Sequence, residues 1–169
     1  YAVECAGETQ GLMLVTSAAF ARLESQRGRE IVGIELIATA PWNRPRLVKK
    51  DARYKGVGRV LVAEAVNLSH QLEFNGRIGL HSLPQSHSWY RDIAKFTDWG
   101  YDGEKRMQYF EFTEAQAAAC RRISDWFEAV HHVPKIHVQD QIAGHHRHSD
   151  LSNQRSDPGP LFNLEDWVL

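Results

Sequence analysis

Cysteine is scarce in this sequence. Cys5 and Cys120 are the only two in 169 residues, too few for a disulfide scaffold, so reduced thiols in a cytoplasmic protein are the simpler reading. Long apolar runs are lacking as well. The longest, Ile31 to Trp42, is too short to span a bilayer and carries Glu35. No signal-peptide pattern opens the chain. Neither sign of charge is in excess: Lys+Arg 20 against Asp+Glu 21 gives a formal net charge of −1. The basic residues are scattered, which argues against a general affinity for nucleic acid or for acidic membranes. The chain starts at Tyr1, without Met and inside a strand-like run, and so reads as a fragment or a processed chain.

What is present suits one folded domain. A hydrophobic fraction of 43% and a charged fraction of 24% are ordinary for a protein with a proper core. Tyr1–Cys5 and Gly11–Val15 are β-rich runs around Ala6-Gly7-Glu8-Thr9, which predicts a hairpin. Glu30–Ala40, rich in β-branched residues, predicts a central strand ending at Pro41. Residues 41–52 read as a long polar loop. From Gly58 to Phe74, Val60, Leu61, Ala65, Leu68 and Leu72 recur at helical spacing. A strand over Ile78–Leu83 stops before Pro84, and residues 86–95 read as a second helix carrying Trp89, Tyr90 and Ile93. Strands near Trp99–Tyr101 and over Met107–Thr113 follow, and Thr113 is placed to cap a helix from Glu114 to about Val130. The order β-β-β-α-β-α-β-β-α is that of a mixed α/β domain.

Residues 131–169 read differently. They form a polar tail, with an apolar end (Leu161–Leu169) suited to docking on the domain or on a neighbouring chain. Six of the nine histidines fall here: His131, His132, His137, His145, His146 and His148. Zinc or nickel could be held by such a cluster, but adjacent histidines without fixed geometry favour a solvated tail, and no metal is expected. Cys120, among alanines, reads as a packed small residue rather than a nucleophile.

The stretch with chemical content is Arg53-Tyr54-Lys55-Gly56-Val57-Gly58-Arg59, between the polar loop and the first helix. A helix N-terminus offers unpaired N–H groups and the positive end of a dipole to a phosphate. Gly56 and Gly58 let the backbone approach it, and Arg53 and Lys55 add charge. Alone, the segment is equally a glycine-containing turn that starts a helix. No G-K-[ST] follows it, and no G-x-G-x-x-G is present, which sets it apart from Walker and Rossmann loops.

The segment matches R-x-x-G-x-G, and in order and flanking elements residues 1–113 resemble the GCN5-related N-acetyltransferases (GNAT). That family places the signature after its fourth strand, then a fifth strand, a helix with a tyrosine and a two-strand finish. The resemblance implies a GNAT-like, mostly antiparallel sheet flanked by helices (the acyl-CoA N-acyltransferase fold) over residues 1–130. The family's first strand and first two helices would be missing, and the 41–52 loop is longer than usual. It further implies acetyl-CoA as cosubstrate and an amine-bearing acceptor: a small molecule, a peptide or an aminoacyl group. Direct transfer in a ternary complex is implied, in a family whose members often dimerise. The strand end Ile37, Ala38, Thr39 and Ala40 would hold the acetyl carbonyl and pantetheine arm. Arg53 to Arg59, with Tyr54 and Val57 among them, would hold the pyrophosphate.

The resemblance also suggests roles in catalysis. Tyr90 would protonate the departing thiolate; the alternative is a half-buried aromatic beside Trp89. Glu35 would deprotonate the amine through a water, as a strand glutamate does in some members; a desolvated carboxylate would suit that role, and a solvent-facing one would do nothing special. His81 is a second candidate base. A catalytically degenerate acyl-CoA-binding or assembly module of the same fold is the alternative reading.

Overall fold

The computed structural model describes residues 1–44 and 49–120. Six strands form one sheet: β1 (Ala2–Cys5), β2 (Glu8–Phe20), β3 (Glu30–Thr39), β4 (Ile78–Ser82), β5 (Thr97–Asp102) and β6 (Met107–Phe112). Their spatial order is β1-β2-β3-β4-β6-β5. Helix α1 (Val57–Gln71) lies between β3 and β4 in the chain, and these two strands are parallel, a pairing that requires such a crossover. The other neighbouring pairs are antiparallel. A short helix, α2 (Glu114–Cys120), follows β6. The molecule is therefore mixed α/β with a mostly antiparallel sheet.

Local sequence accounts for most of these elements. Ala6 (φ 53) and Gly7 (φ 77) are both left-handed, the condition for a tight turn whose twist matches a hairpin, so β2 starts already at Glu8. Thr113 and Gln116 form a reciprocal capping box at α2: Gln116 N–H donates to Thr113 Oγ1 at 3.3 Å, and Thr113 N–H to Gln116 Oε1 at 2.8 Å. On α1, Val57, Val60, Leu61, Ala65 and Val66 pack with Val3, Met13, Val32, Ile34, Leu80, Phe110 and Phe112 into one core. Each of these side chains larger than alanine contributes roughly 1.5–3 kcal/mol when fully buried. Leu72 follows the last helical residue and is exposed.

Two elements differ from the sequence expectation. Strand β2 runs on to Phe20 rather than ending at Val15, because Val15–Phe20 continue to pair with the first half of β3. The segment expected as a helix over 86–95 is a 3-10 turn (Pro84–Ser86) followed by a single π-turn (Trp89–Ile93), closed by Ala94 N–H to Trp89 O at 2.8 Å. Lys95, at φ 64, turns the chain out of it. The remainder of the helix expected to reach Val130, the 131–169 tail and its six histidines lie outside the described residues. Among the described residues no helix is long and apolar enough to cross a membrane.

Strand alternation divides the sheet into two faces. Val32, Ile34, Ile78, Leu80, Phe110 and Phe112 share the core with α1. The residues between them, Gly33, Gly79, His81, Tyr109 and Glu111, consequently face the other way, and Glu35 follows Ile34 onto that side.

Candidate functional site

The site begins where β3 and β4 part. Their register covers Val32↔Ile78, Gly33↔Gly79 and Ile34↔Leu80, yet β3 continues to Thr39 and β4 to Ser82. A bulge marks the same place on the other side of β3: Leu14 pairs Leu36 and Val15 pairs Ile34, so Glu35 is the extra residue. Bulges bend a strand and advance its side-chain alternation by one residue, and Ile37, not Leu36, packs on the core beyond it.

The backbone of this strand end is oriented by its bonds. Ala40 N–H donates to Gln10 O on β2 at 2.8 Å, whereas Val32 N–H donates to Arg77 O, before β4, at 3.1 Å. Alternation back from Ala40 turns the amides of Ile37 and Thr39 away from β2, toward the β4 side. Thr39 O follows the same direction and accepts Arg44 Nε at 2.7 Å. Of the four strand-end residues expected at the site, Ile37 and Thr39 thus offer backbone groups to the opening. Ala38 and Ala40 are buried in a small cluster with Leu12.

The signature lies beside this strand end because buried Gln10 anchors the loop's start. Its Oε1 accepts Trp42 Nε1 at 2.9 Å and Asn43 Nδ2 at 3.0 Å, and Asn43 Oδ1 accepts the amide of Tyr54 at 2.9 Å. Gly56 is the residue before α1, at φ 92, where any other residue would be strained. Arg59 and Val60 N–H both donate to Gly56 O, at 2.9 and 3.1 Å. The amides of Val57 and Gly58 precede them, in the first turn whose N–H groups have no partner within the helix. Gly58 is closely packed: a Cβ there would lie 3.1 Å from the Trp89 ring, a tight contact, and 3.7 Å from the Thr39 methyl. Arg53, exposed, forms a salt bridge with Glu8 and stacks its guanidinium near the Tyr54 ring, at 5.7 Å. Lys55 and Arg59 are exposed, and Tyr54 is half-buried against the core.

Trp89 therefore packs the π-turn against Gly58, and Tyr90 follows it. Tyr90 is buried, edge-on to Trp89 (5.1 Å) and Phe96 (5.6 Å), and tilted on Phe110 (5.9 Å). Burial pushes its phenol well above the usual tyrosine range, so it stays un-ionised. Its hydroxyl makes no hydrogen bond among the described residues. Glu35 is exposed and makes no hydrogen bond or ion pair among them. Glu35 is thus the solvent-facing strand carboxylate and not the buried one, because alternation after Ile34 places it on the face away from α1.

His81 stands in a constructed environment that sequence reasoning missed. Its Nε2 lies 2.8 Å from Asp102 Oδ2, and the same oxygen accepts Arg22 Nη1 at 2.6 Å. Arg22 and His81 hold the Asp102 carboxyl well below the usual carboxylate range, with help from the amides of Lys105 and Glu104. Arg22 also sits 4.5 Å above the Tyr109 ring, and His81 is 4.8 Å from that ring. Behind them, fully buried Glu111 accepts the Arg22 and Leu23 amides and Gln26 Nε2. A lone strand histidine gave the only signal, because Asp102 lies 21 positions away and reaches it through the strand order β4-β6-β5, while Arg22 comes from the segment after β2. Arg44, buried at the β3 end, was read as loop; burial lowers its pKa from the ordinary arginine value.

Among the described residues no group of histidine, cysteine or carboxylate side chains could hold a metal ion. Cys5 is buried and free, and burial raises its thiol pKa. Comparison with protein-family models, with curated proteins and with solved structures finds no match.

Proposed function

We propose that this chain is the acyl-CoA-binding part of a GNAT-like N-acetyltransferase that transfers acetyl from acetyl-CoA directly to an amine. The observation that carries the reading is the parting of β3 and β4 after Ile34 and Leu80, with the Ile37 and Thr39 amides directed into it. An R-x-x-G-x-G helix start lies alongside. An extended pantetheine arm needs backbone partners of this kind, and a pyrophosphate needs a helix N-terminus with little side-chain bulk.

Each group has a definable task in that reaction. The strand amides would donate to the thioester carbonyl and to the oxyanion that develops on it, an effect of the order of a few kcal/mol. The Val57 and Gly58 amides, with Lys55 and Arg59, would face the pyrophosphate. Arg53 would exchange its exposed partner Glu8 for phosphate, a modest cost for a solvent-facing ion pair. Tyr90, a phenol that is un-ionised at neutral pH, would supply a proton to the departing thiolate. Glu35, exposed where the strands part, would meet the incoming ammonium group.

The test is calorimetric titration of the intact chain with acetyl-CoA, CoA and ATP. Binding of both CoA compounds in the micromolar range, without ATP binding, is the expected result; no CoA binding would overturn the reading.

A further inference from the structure

The cofactor-facing elements and the titratable groups lie on opposite faces of the sheet. Helix α1 and its N-terminus occupy one face, with Ile34 and Leu80 beneath it. His81 and Glu35 are each the first residue beyond the last registered pair, Ile34↔Leu80, and both belong to the opposite face. An acyl group held in the opening between the strands would therefore be reachable by an amine from the face without α1. The direct-transfer reading requires this arrangement, and the inference below rests on that reading.

Of the two groups at this point, only His81 is fixed. Its ring is held between Asp102, at 2.8 Å, and the tilted Tyr109 ring, and its side chain is 20% exposed. Asp102 is itself pinned by Arg22. Because Asp102 is held ionised, it can only accept, so the proton of the neutral imidazole sits on Nε2 and the lone pair on Nδ1. Among the described residues Nδ1 has no hydrogen-bond partner. A carboxylate that orients an imidazole in this way sets its tautomer and stabilises its charged form.

We infer that His81 is the base that takes the proton of the acceptor amine, with Asp102 and Arg22 as its positioning residues. The ammonium form of the acceptor gives one proton to His81 Nδ1. The freed nitrogen lone pair forms the C–N bond at the thioester carbonyl, and the C–S bond breaks with its electron pair on sulfur. The second nitrogen-bound proton is lost as the amide forms, the thiolate takes a proton from Tyr90, and solvent restores Tyr90 and deprotonates His81. The products are the amide, CoA thiol and one proton released to water. The charged and titratable groups around His81 are Asp102 from β5, Tyr109 from β6 and Arg22 from the segment after β2; Glu111 and Glu35 lie on the same face of β6 and β3.

The experiment is a pH–rate profile of CoA thiol release, with benzylamine and a lysine-containing peptide as amine probes, beside acetyl-CoA titration. It uses the intact chain and its His81→Gln and Asp102→Asn variants. The expected result is unchanged acetyl-CoA affinity throughout, a loss of about 10²–10⁴-fold in kcat/KM for His81→Gln with disappearance of the acidic limb, and a smaller loss in kcat/KM for Asp102→Asn, whose imidazole keeps the limb but loses its fixed tautomer. If acetyl-CoA binds but the limb persists in His81→Gln, or neither amine is acetylated, the inference is overturned and the binding site stands. If the intact chain does not bind acetyl-CoA, both fall. Should His81→Gln not fold, heteronuclear NMR of the His81 ring in the intact chain decides. A neutral ring protonated at Nε2 is expected, and one protonated at Nδ1 overturns the assignment.

Discussion

Replacing Glu111 tests the support beneath the polar cluster. This side chain is fully buried and accepts three donors: the Arg22 amide, the Leu23 amide at 3.2 Å from both oxygens, and Gln26 Nε2 at 2.8 Å. In Glu111→Gln one carboxylate oxygen becomes an NH2 group. Turned toward Gln26 Nε2 it sets donor against donor; turned the other way it faces the backbone amides. One buried donor is left unsatisfied in either case, at about 1–3 kcal/mol. Glu111→Ala strands all three donors and opens a cavity, for which about 3–5 kcal/mol is the appropriate scale. Against a total stability of about 5–15 kcal/mol, the alanine variant should unfold at a much lower urea midpoint, with the glutamine variant between. A change under about 0.5 kcal/mol for alanine would show that residues 21–26 are held by something else, and would refute the argument.

Other expectations follow from the site. Gly56→Ala should lower stability by about 1–2 kcal/mol through its left-handed backbone while retaining acetyl-CoA binding, whereas Gly56→Glu should abolish that binding; equal affinities in calorimetry would remove the pyrophosphate assignment. Tyr90→Phe should keep acetyl-CoA affinity and slow turnover, and an unchanged rate would assign the proton to water or another group. Asp102 has its folded pKa depressed, so its contribution to stability is complete above the unfolded value of about 3.9 and is lost as pH falls below it. Urea midpoints between pH 5 and pH 2.5 should therefore fall less steeply for Asp102→Asn than for the parent, and parallel slopes would contradict the pairing.

The sequence made legible what local chemistry decides. The central strand, the long amphipathic helix, the Thr113 cap and the glycines at the helix start are all written in nearby residues. Strand β2 was cut short because Thr16–Ala19 lack an apolar alternation, and two register shifts interrupt the period there. The π-turn carries the same aromatic spacing as a short α-helix, so periodicity does not separate the two. Asp102 and Arg22 were invisible as partners of His81, since nothing local distinguishes an aspartate before a turn from a loop residue. Glu35 drew notice as a charge in an apolar strand, but which of Leu36 and Ile37 meets the core beyond it depends on a bulge whose position is set by pairing with β2. Gly58 was read as making room for phosphate, whereas the contact in this fold is the Trp89 ring.

The most direct measurement is the affinity of the intact chain for acetyl-CoA, read by calorimetry against CoA and ATP. Micromolar binding of acetyl-CoA and CoA, lost in Gly56→Glu and absent for ATP, is what the account predicts. Failure of the folded chain to bind either CoA compound would contradict it.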